Sequence, residues 1–135
     1  ILQIGNPFEL YRSPANSLVA EFFGSINWLR GKMLDSKRVE TEIGTLIIDG
    51  SSAMDGSVVV GVRPEDVKLA RSSNEAENRI EGKVISSTFL GDQVVAEVKI
   101  HDKILIAKAL ADEEKPVGNI TVHLPKERLV VFAET

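Results

Sequence analysis

The chain of 135 residues contains no cysteine, so it has no disulfide framework, no thiolate metal site and no cysteine nucleophile. That composition fits a reducing cytoplasm. Aromatic residues make up only 5%, and 16 Lys and Arg face 20 Asp and Glu, a formal net charge of -4 with no basic run. Single-stranded nucleic-acid binders combine several aromatics with a positive groove, and duplex binders need a Lys/Arg surplus on one face. No nucleic-acid partner is therefore expected. No apolar run approaches the roughly 20 residues that span a bilayer, and no signal peptide is visible. Membrane association must then come through a partner. The only two histidines, His101 and His123, lie far apart in sequence, and surface or internally satisfied roles are expected for both. Gly31-Lys32 is a superficial P-loop match, but Met33 stands where the motif needs Ser or Thr for Mg²⁺. No catalytic residue, cofactor site or metal site is expected within the chain.

What the sequence does have is a change of period. At the start, Leu2 to Ile4 reads as a strand end. Asn6 is placed as an N-cap with Pro7 at the first helical position, giving a short helix from Pro7 to about Arg12 that Ser13-Pro14 stops. A second helix is capped by Asn16 and ended by Gly24, with Leu18, Val19, Phe22 and Phe23 in an apolar stripe. From Ile26 onward the apolar residues alternate with polar ones. Strands are expected at Ile26–Leu34, Arg38–Glu42, Thr45–Asp49, Ser57–Val62, Val67–Ala70, Ile80–Leu90, Gln93–Ile100, Lys103–Ala109, Asn119–Leu124 and Leu129–Phe132. His101-Asp102 has hairpin-loop length, and Arg71–Glu77 is a polar connector between two β-rich halves. Many short strands without long helices indicate a mainly β fold, a small barrel or sandwich.

The halves echo each other. Asn27-Trp28-Leu29-Arg30-Gly31-Lys32-Met33 matches Asn78-Arg79-Ile80-Glu81-Gly82-Lys83-Val84. Further on, Gly56 to Val62 followed by Pro64 matches Gly118 to Leu124 followed by Pro125. Strand-turn units can look alike by chance, but two matches in the same order favour a duplicated β unit. Spacing differs between the copies, so the second half carries an insertion.

Two clusters are candidates for recognition. The first, Gly61-Val62-Arg63-Pro64-Glu65-Asp66-Val67, is either a strand end with a Pro-initiated turn or a fixed loop offering a guanidinium fork and two acids to a partner domain. Pro64 fixes its own φ and biases Arg63 to extended geometry, so an ordered loop is expected in both cases. Glu65 and Asp66 have no His or nucleophile nearby in sequence and do not read as catalytic carboxylates. In the second cluster, Phe89-Leu90-Gly91-Asp92, a strand end and turn are expected, with Phe89 in the core and positive φ at Gly91. Its loop is also a possible small-molecule site. Trp28 beside Arg30 and Lys32 is expected in the core or at an interface.

The opening, Leu2-Gln3-Ile4-Gly5 with Pro7, Glu9-Leu10-Tyr11, Pro14-Ala15-Asn16, Val19-Ala20, Phe22, Gly24 and Asn27, resembles the stretch where the ATPase domain of ABC importers runs into its C-terminal domain. Gly61-Val62-Arg63-Pro64-Glu65-Asp66-Val67 resembles the signature of that domain, the transport-associated oligonucleotide/oligosaccharide-binding-like (TOBE) module. The likeness extends over essentially the whole chain and is closest to importers of sugars, polyamines and ferric iron, including the maltose transporter ATPase group. It implies that residues 1–25 end a nucleotide-binding domain and that residues 26–135 form an OB-like β-barrel. It also implies a non-catalytic regulatory and dimerisation role, with ATP and Mg²⁺ bound in the preceding domain. The implied partners are that domain, a second copy of the subunit, the membrane permease subunits and a small-molecule or protein regulator. The implied location is cytoplasmic, at the inner face of the cell membrane. Within this family resemblance, Arg63, Pro64, Glu65 and Asp66 match the signature loop. The competing expectation is a free-standing OB-like binder of a sugar or an oxyanion.

Overall fold

The computed structural model describes residues 26–49, 56–70, 77–110 and 116–133. The two expected N-terminal helices, the strand end before them and most of the polar connector lie outside the described residues. Within the described residues all ten expected strands are present: β1 (Asn27–Met33), β2 (Arg38–Thr41), β3 (Gly44–Ile47), β4 (Ser57–Val62), β5 (Lys68–Ala70), β6 (Arg79–Phe89), β7 (Gln93–Ile100), β8 (Lys103–Leu110), β9 (Gly118–His123) and β10 (Val130–Ala133). Two single-turn 3₁₀ segments, η1 (Pro64–Asp66) and η2 (Lys126–Arg128), follow β4 and β9.

These strands form two five-stranded antiparallel sheets, in the orders β10-β4-β1-β2-β3 and β5-β9-β6-β7-β8. The orders match once β1 to β5 are laid on β6 to β10, so the duplication read from the sequence is present in the fold. Register repeats residue by residue. Trp28 faces Gly61 as Arg79 faces His123, and Val39 faces Leu46 as Val98 faces Leu105. The fifth strands are exchanged: β5 of the first half pairs with β9, and β10 of the second half pairs with β4. Neither half completes its own sheet.

Period-two burial builds the interior. In β7, Val94, Ala96, Val98 and Ile100 are buried while Gln93 and Lys99 are exposed. Leu29, Val39, Leu46, Val58 and Val60 from the first half join Val98, Leu105, Val122 and Leu124 from the second in one cluster. The two sheets therefore share a single core. Gly31 and Gly82 mark the same close approach in each half. A Cβ at Gly31 would lie 2.8 Å from Val39 Cγ2 and 2.9 Å from the Glu40 carbonyl oxygen, and one at Gly82 would lie 2.8 Å from Val98 Cγ1. A side chain at either position would force neighbouring atoms to shift.

A pair of asparagines braces the sheets. Asn27 Nδ2 donates to the carbonyls of Val62 (3.2 Å) and Ile106 (2.9 Å), and Asn27 Oδ1 accepts from the Ile106 N–H (2.8 Å). Asn78 does the same for the other half: Nδ2 donates to the carbonyls of Leu124 (3.0 Å) and Ile47 (2.7 Å), and Oδ1 accepts from the Ile47 N–H (2.6 Å). Each carboxamide thus bonds both backbone groups of one residue on the opposite half's outermost strand, as a neighbouring strand would.

On the surface, the Asp35 carboxylate accepts from the Lys37 N–H and from Arg38 Nε, both at 2.8 Å. These bonds, the backbone one foremost, hold its pKa below the usual carboxylate range. Because the folded-state pKa is depressed, this contribution to stability is complete above the unfolded-state pKa and disappears as pH falls through the folded-state value. Titration of the Asp35 carboxyl by ¹³C NMR is expected to show a midpoint below that of a free aspartate. Asp35→Asn should flatten the acid limb of the stability profile by lowering stability slightly at neutral pH, where the contribution is complete, and leaving it unchanged below the folded-state pKa.

Candidate functional site

The structure treats the two sequence candidates differently. In the first, Val62 ends β4 and Arg63 is extended (φ -74°, ψ 148°), as a residue before proline must be. Pro64 then opens η1, closed by Asp66 N–H to the Arg63 carbonyl (2.9 Å) and Val67 N–H to the Pro64 carbonyl (3.2 Å). Arg63, Pro64 and Asp66 are buried, and Glu65 is exposed. Asp66 Oδ1 also lies 4.0 Å from Arg128 Nε, which ties η1 to its counterpart η2. Of the signature loop, one carboxylate side chain faces solvent.

The second candidate requires a correction. Phe89 is not in the core; it is 62% exposed, beside Leu90 at 57%. Its cross-strand partner is Val94, so alternation does aim it at the inner face. However, β9 covers β6 only from Arg79 to Val84, and beyond a register shift at Val84/Ser86 the strand pairs with β7 alone. The β6–β7 hairpin runs past the core, and among the described residues no strand pairs with its tip beyond β7. Gly91 takes the expected positive φ (81°), and Gly91 and Asp92 are exposed in the turn.

This overhang is the insertion that the sequence required. Gly56 lies 29 positions after Asn27, whereas Gly118 lies 40 after Asn78. The extra length extends β6, β7 and β8, and Ile85, Phe89, Leu90, Leu110 and Val117, all large exposed apolar residues, lie on it or beside it.

The extension also makes one wall of a cleft of about 800 Å³. Gln93, Lys108, Ala109 and Leu110 line that side; Glu65, Val67, Lys68 and Leu69 from η1 and β5 line the other, and Pro116 and Ile120 complete it. Lys68 Nζ donates to the Glu65 carbonyl at 2.9 Å, which holds its ammonium on the cleft wall. Of the two clusters singled out from the sequence, Glu65 and Val67 line the cleft; Arg63, Pro64 and Asp66 are buried in the same loop, and Phe89, Gly91 and Asp92 sit at the hairpin end. Sequence reasoning missed Lys68, Gln93, Lys108 and Leu110. The unequal spacing of the two repeats was the signal that could have pointed to them. With two ammonium groups, one carboxylate, one carboxamide and an apolar lining, the cleft is suited to binding. Among the described residues no group of His, Asp and Glu converges in a way that could hold a metal ion.

Two curled, exchanged sheets around one core define a duplicated OB-like module. Consistent with this, the structure is similar to that of the cytoplasmic molybdate-binding protein ModG in its molybdate-bound form (TM-score 0.67, 12% identity, 80% of this chain and 96% of that one). The family model for the TOBE domain matches residues 60–132, and the chain belongs to that family. It is similar to the spermidine/putrescine import ATP-binding protein PotA of Mycoplasmopsis synoviae, with 30% identity across 94% of this chain and 30% of that protein. PotA of Clostridium acetobutylicum is 38% identical across 76% of this chain and 28% of its own length. The sulfate/thiosulfate import ATP-binding protein CysA of Acinetobacter baylyi is 27% identical across 98% and 38%. The chain thus spans only about 30% of the length of the first two relatives.

Proposed function

We propose that the chain is the non-catalytic regulatory and dimerisation module of the ATP-binding subunit of an ABC importer. The observation that carries this reading is the TOBE match, together with alignment of nearly the whole chain to a minor part of import ATP-binding proteins. In this reading ATP and Mg²⁺ bind in a preceding nucleotide-binding domain, and the permease subunits hold the assembly at the inner face of the membrane. The module's task is energetic. A coupling of roughly 1–3 kcal/mol between its contacts and the closed ATPase dimer is enough to change the populations of open and closed states several-fold. One shared core and reciprocal braces make it a stiff body suited to that task.

The test uses the whole polypeptide that carries this chain, with and without residues 26–135. Removing them should leave Mg²⁺-dependent ATP hydrolysis in place but weaken dimerisation, measured by analytical ultracentrifugation with and without nucleotide. Unchanged self-association would overturn the dimerisation role, and absence of any ATPase domain would overturn the family role. The second reading is a free-standing small-ligand binder, supported by the fold shared with a molybdate-binding protein. Calorimetric titration with molybdate, sulfate and maltose distinguishes it, since it requires saturable binding by the isolated chain.

A further inference from the structure

We propose that the outer face of the first sheet is the docking surface for residues 16–24 of the same chain, a stretch outside the described residues. Both partners belong to this chain, so the proposal does not depend on the transporter reading. Alternation fixes which residues form the face. Leu29, Val58 and Val60 belong to the core, and Val131 packs against it. Their neighbours Trp28, Val59, Gly61, Val130 and Phe132 therefore face outward. Register places Trp28, Gly61 and Val130 in one row across β1, β4 and β10, and Arg30, Val59 and Phe132 in the next. Trp28 meets Phe132 with ring centroids 6.1 Å apart. Apart from Arg30 the two rows carry no polar side chain, and Trp28, Val59, Val130 and Phe132 are each left half-buried.

The second half shows that the fold does not require such a face. Arg79, His123 and Lys68 stand where the first half has Trp28, Gly61 and Val130, and Thr121 stands in place of Val59. A solvated sheet face carries polar residues of that kind, whereas a contiguous apolar face marks a contact.

The point at which the chain joins this face specifies the occupant. Residues 1–25 meet the described ones at Ile26, directly before β1. Ile26 itself lies on the face: a Cβ at Gly61 would be 2.7 Å from Trp28 Cζ3 and 3.0 Å from both Ile26 Cγ2 and Val130 Cγ2. Those three side chains bury Gly61 although it points outward. In the preceding stretch, Leu18, Val19, Phe22 and Phe23 repeat at helical spacing. Only Gly24 and Ser25 separate Phe23 from Ile26, and three Cα steps reach at most about 11 Å. The three strands of the face measure about 10 Å across. An apolar stripe tethered at Ile26 therefore reaches from Trp28 to Phe132 without a long linker. So short a tether also gives a high effective concentration, which a second copy free in solution does not match.

The chain has no cysteine and a single tryptophan, Trp28, so one label and one fluorophore report on the contact. The experiment attaches a nitroxide to the full ¹⁵N-labelled chain at Ser17→Cys and records amide broadening. The amides of Trp28, Val59 and Phe132 are expected to broaden more than those of Arg79, Thr121 and His123 in the second half. Equal broadening of the two sets, or stronger broadening of the second, would overturn the proposal. The same broadening in a mixture of nitroxide-bearing unlabelled chain and ¹⁵N-labelled chain without nitroxide would also overturn it, by making a second copy the occupant. Phe22→Asp combined with Phe23→Asp should shift Trp28 emission to the red and raise its acrylamide quenching about twofold, because carboxylates do not cover an apolar face. The amide spectrum of residues 77–110 should stay in place, which separates release of the segment from unfolding. Unchanged emission and quenching in that variant would sink the idea.

Discussion

Replacing Asn78 by leucine is expected to lower the free energy of unfolding by roughly 2–4 kcal/mol, the range for stranding buried backbone polar groups. The Asn78 side chain serves three backbone groups: the N–H and C=O of Ile47 and the C=O of Leu124. Leucine fills the space and satisfies none of them. Ile47 is half-buried, so water recovers part of the loss, which keeps the figure below the sum of three full penalties. A second contribution comes from the backbone, because Asn78 has φ 58°, where leucine is disfavoured by about 1–2 kcal/mol and asparagine is tolerated. Asn78→Gly separates the two: it relieves φ but still removes the carboxamide. If urea unfolding shows Asn78→Gly as stable as the parent, the brace contributes nothing and the explanation fails. Asn27→Leu loses the matching bonds without the φ contribution, so its cost should be smaller, roughly 1–3 kcal/mol.

Leu46→Ala and Leu105→Ala should each cost about 2–5 kcal/mol, the range for truncating a leucine in a close-packed interior. Both side chains are fully buried, and both occupy the same place in the repeat, opposite Val39 and Val98 respectively. More informative than either cost is how the chain unfolds. Were the halves separate domains, each substitution would move its own transition and leave the other behind. Exchange of β5 and β10 places part of each sheet in the opposite half, and all these leucines belong to one cluster. A single transition that moves as a whole for both variants is therefore expected. Tryptophan fluorescence of Trp28, in the first half, should report Leu105→Ala as strongly as Leu46→Ala. A biphasic curve in either variant would show that the core is divisible.

Most of this architecture was legible in the amino acids, for a physical reason. Each long strand has one wet face, so polar and apolar residues alternate cleanly, as in Gln93 to Ile100, and the ends fall near Gly or Pro. The duplication was legible because Gly31 and Gly82 face the same steric demand. The braces were not. Asn27 and Asn78 stood at the head of each repeat, where asparagine reads as a turn or cap residue, and nothing local shows that their partners lie 79 and 31 positions away. Phe89 was misplaced because alternation gives the face of a residue but not whether anything covers it. The signature loop illustrates the converse. Arg63 and Asp66 are charged yet buried, and only the path of η1 under the cleft wall makes them so. The cleft itself joins Lys68 to Lys108 across 40 positions of chain, beyond the reach of any local pattern.

Exchange of the fifth strands also imposes a timetable. During synthesis, β4 emerges with one side paired to β1, but its other neighbour, β10, begins 68 residues after β4 ends. At about 5–20 residues per second the ribosome needs roughly 3–14 s to deliver it. For that interval the nascent first half presents an open, valine-rich edge from Val58 to Gly61. A neighbouring nascent chain on the same messenger could fill the vacancy with its own β10, so dense polysomes should favour interlocked pairs where sparse ones yield single molecules.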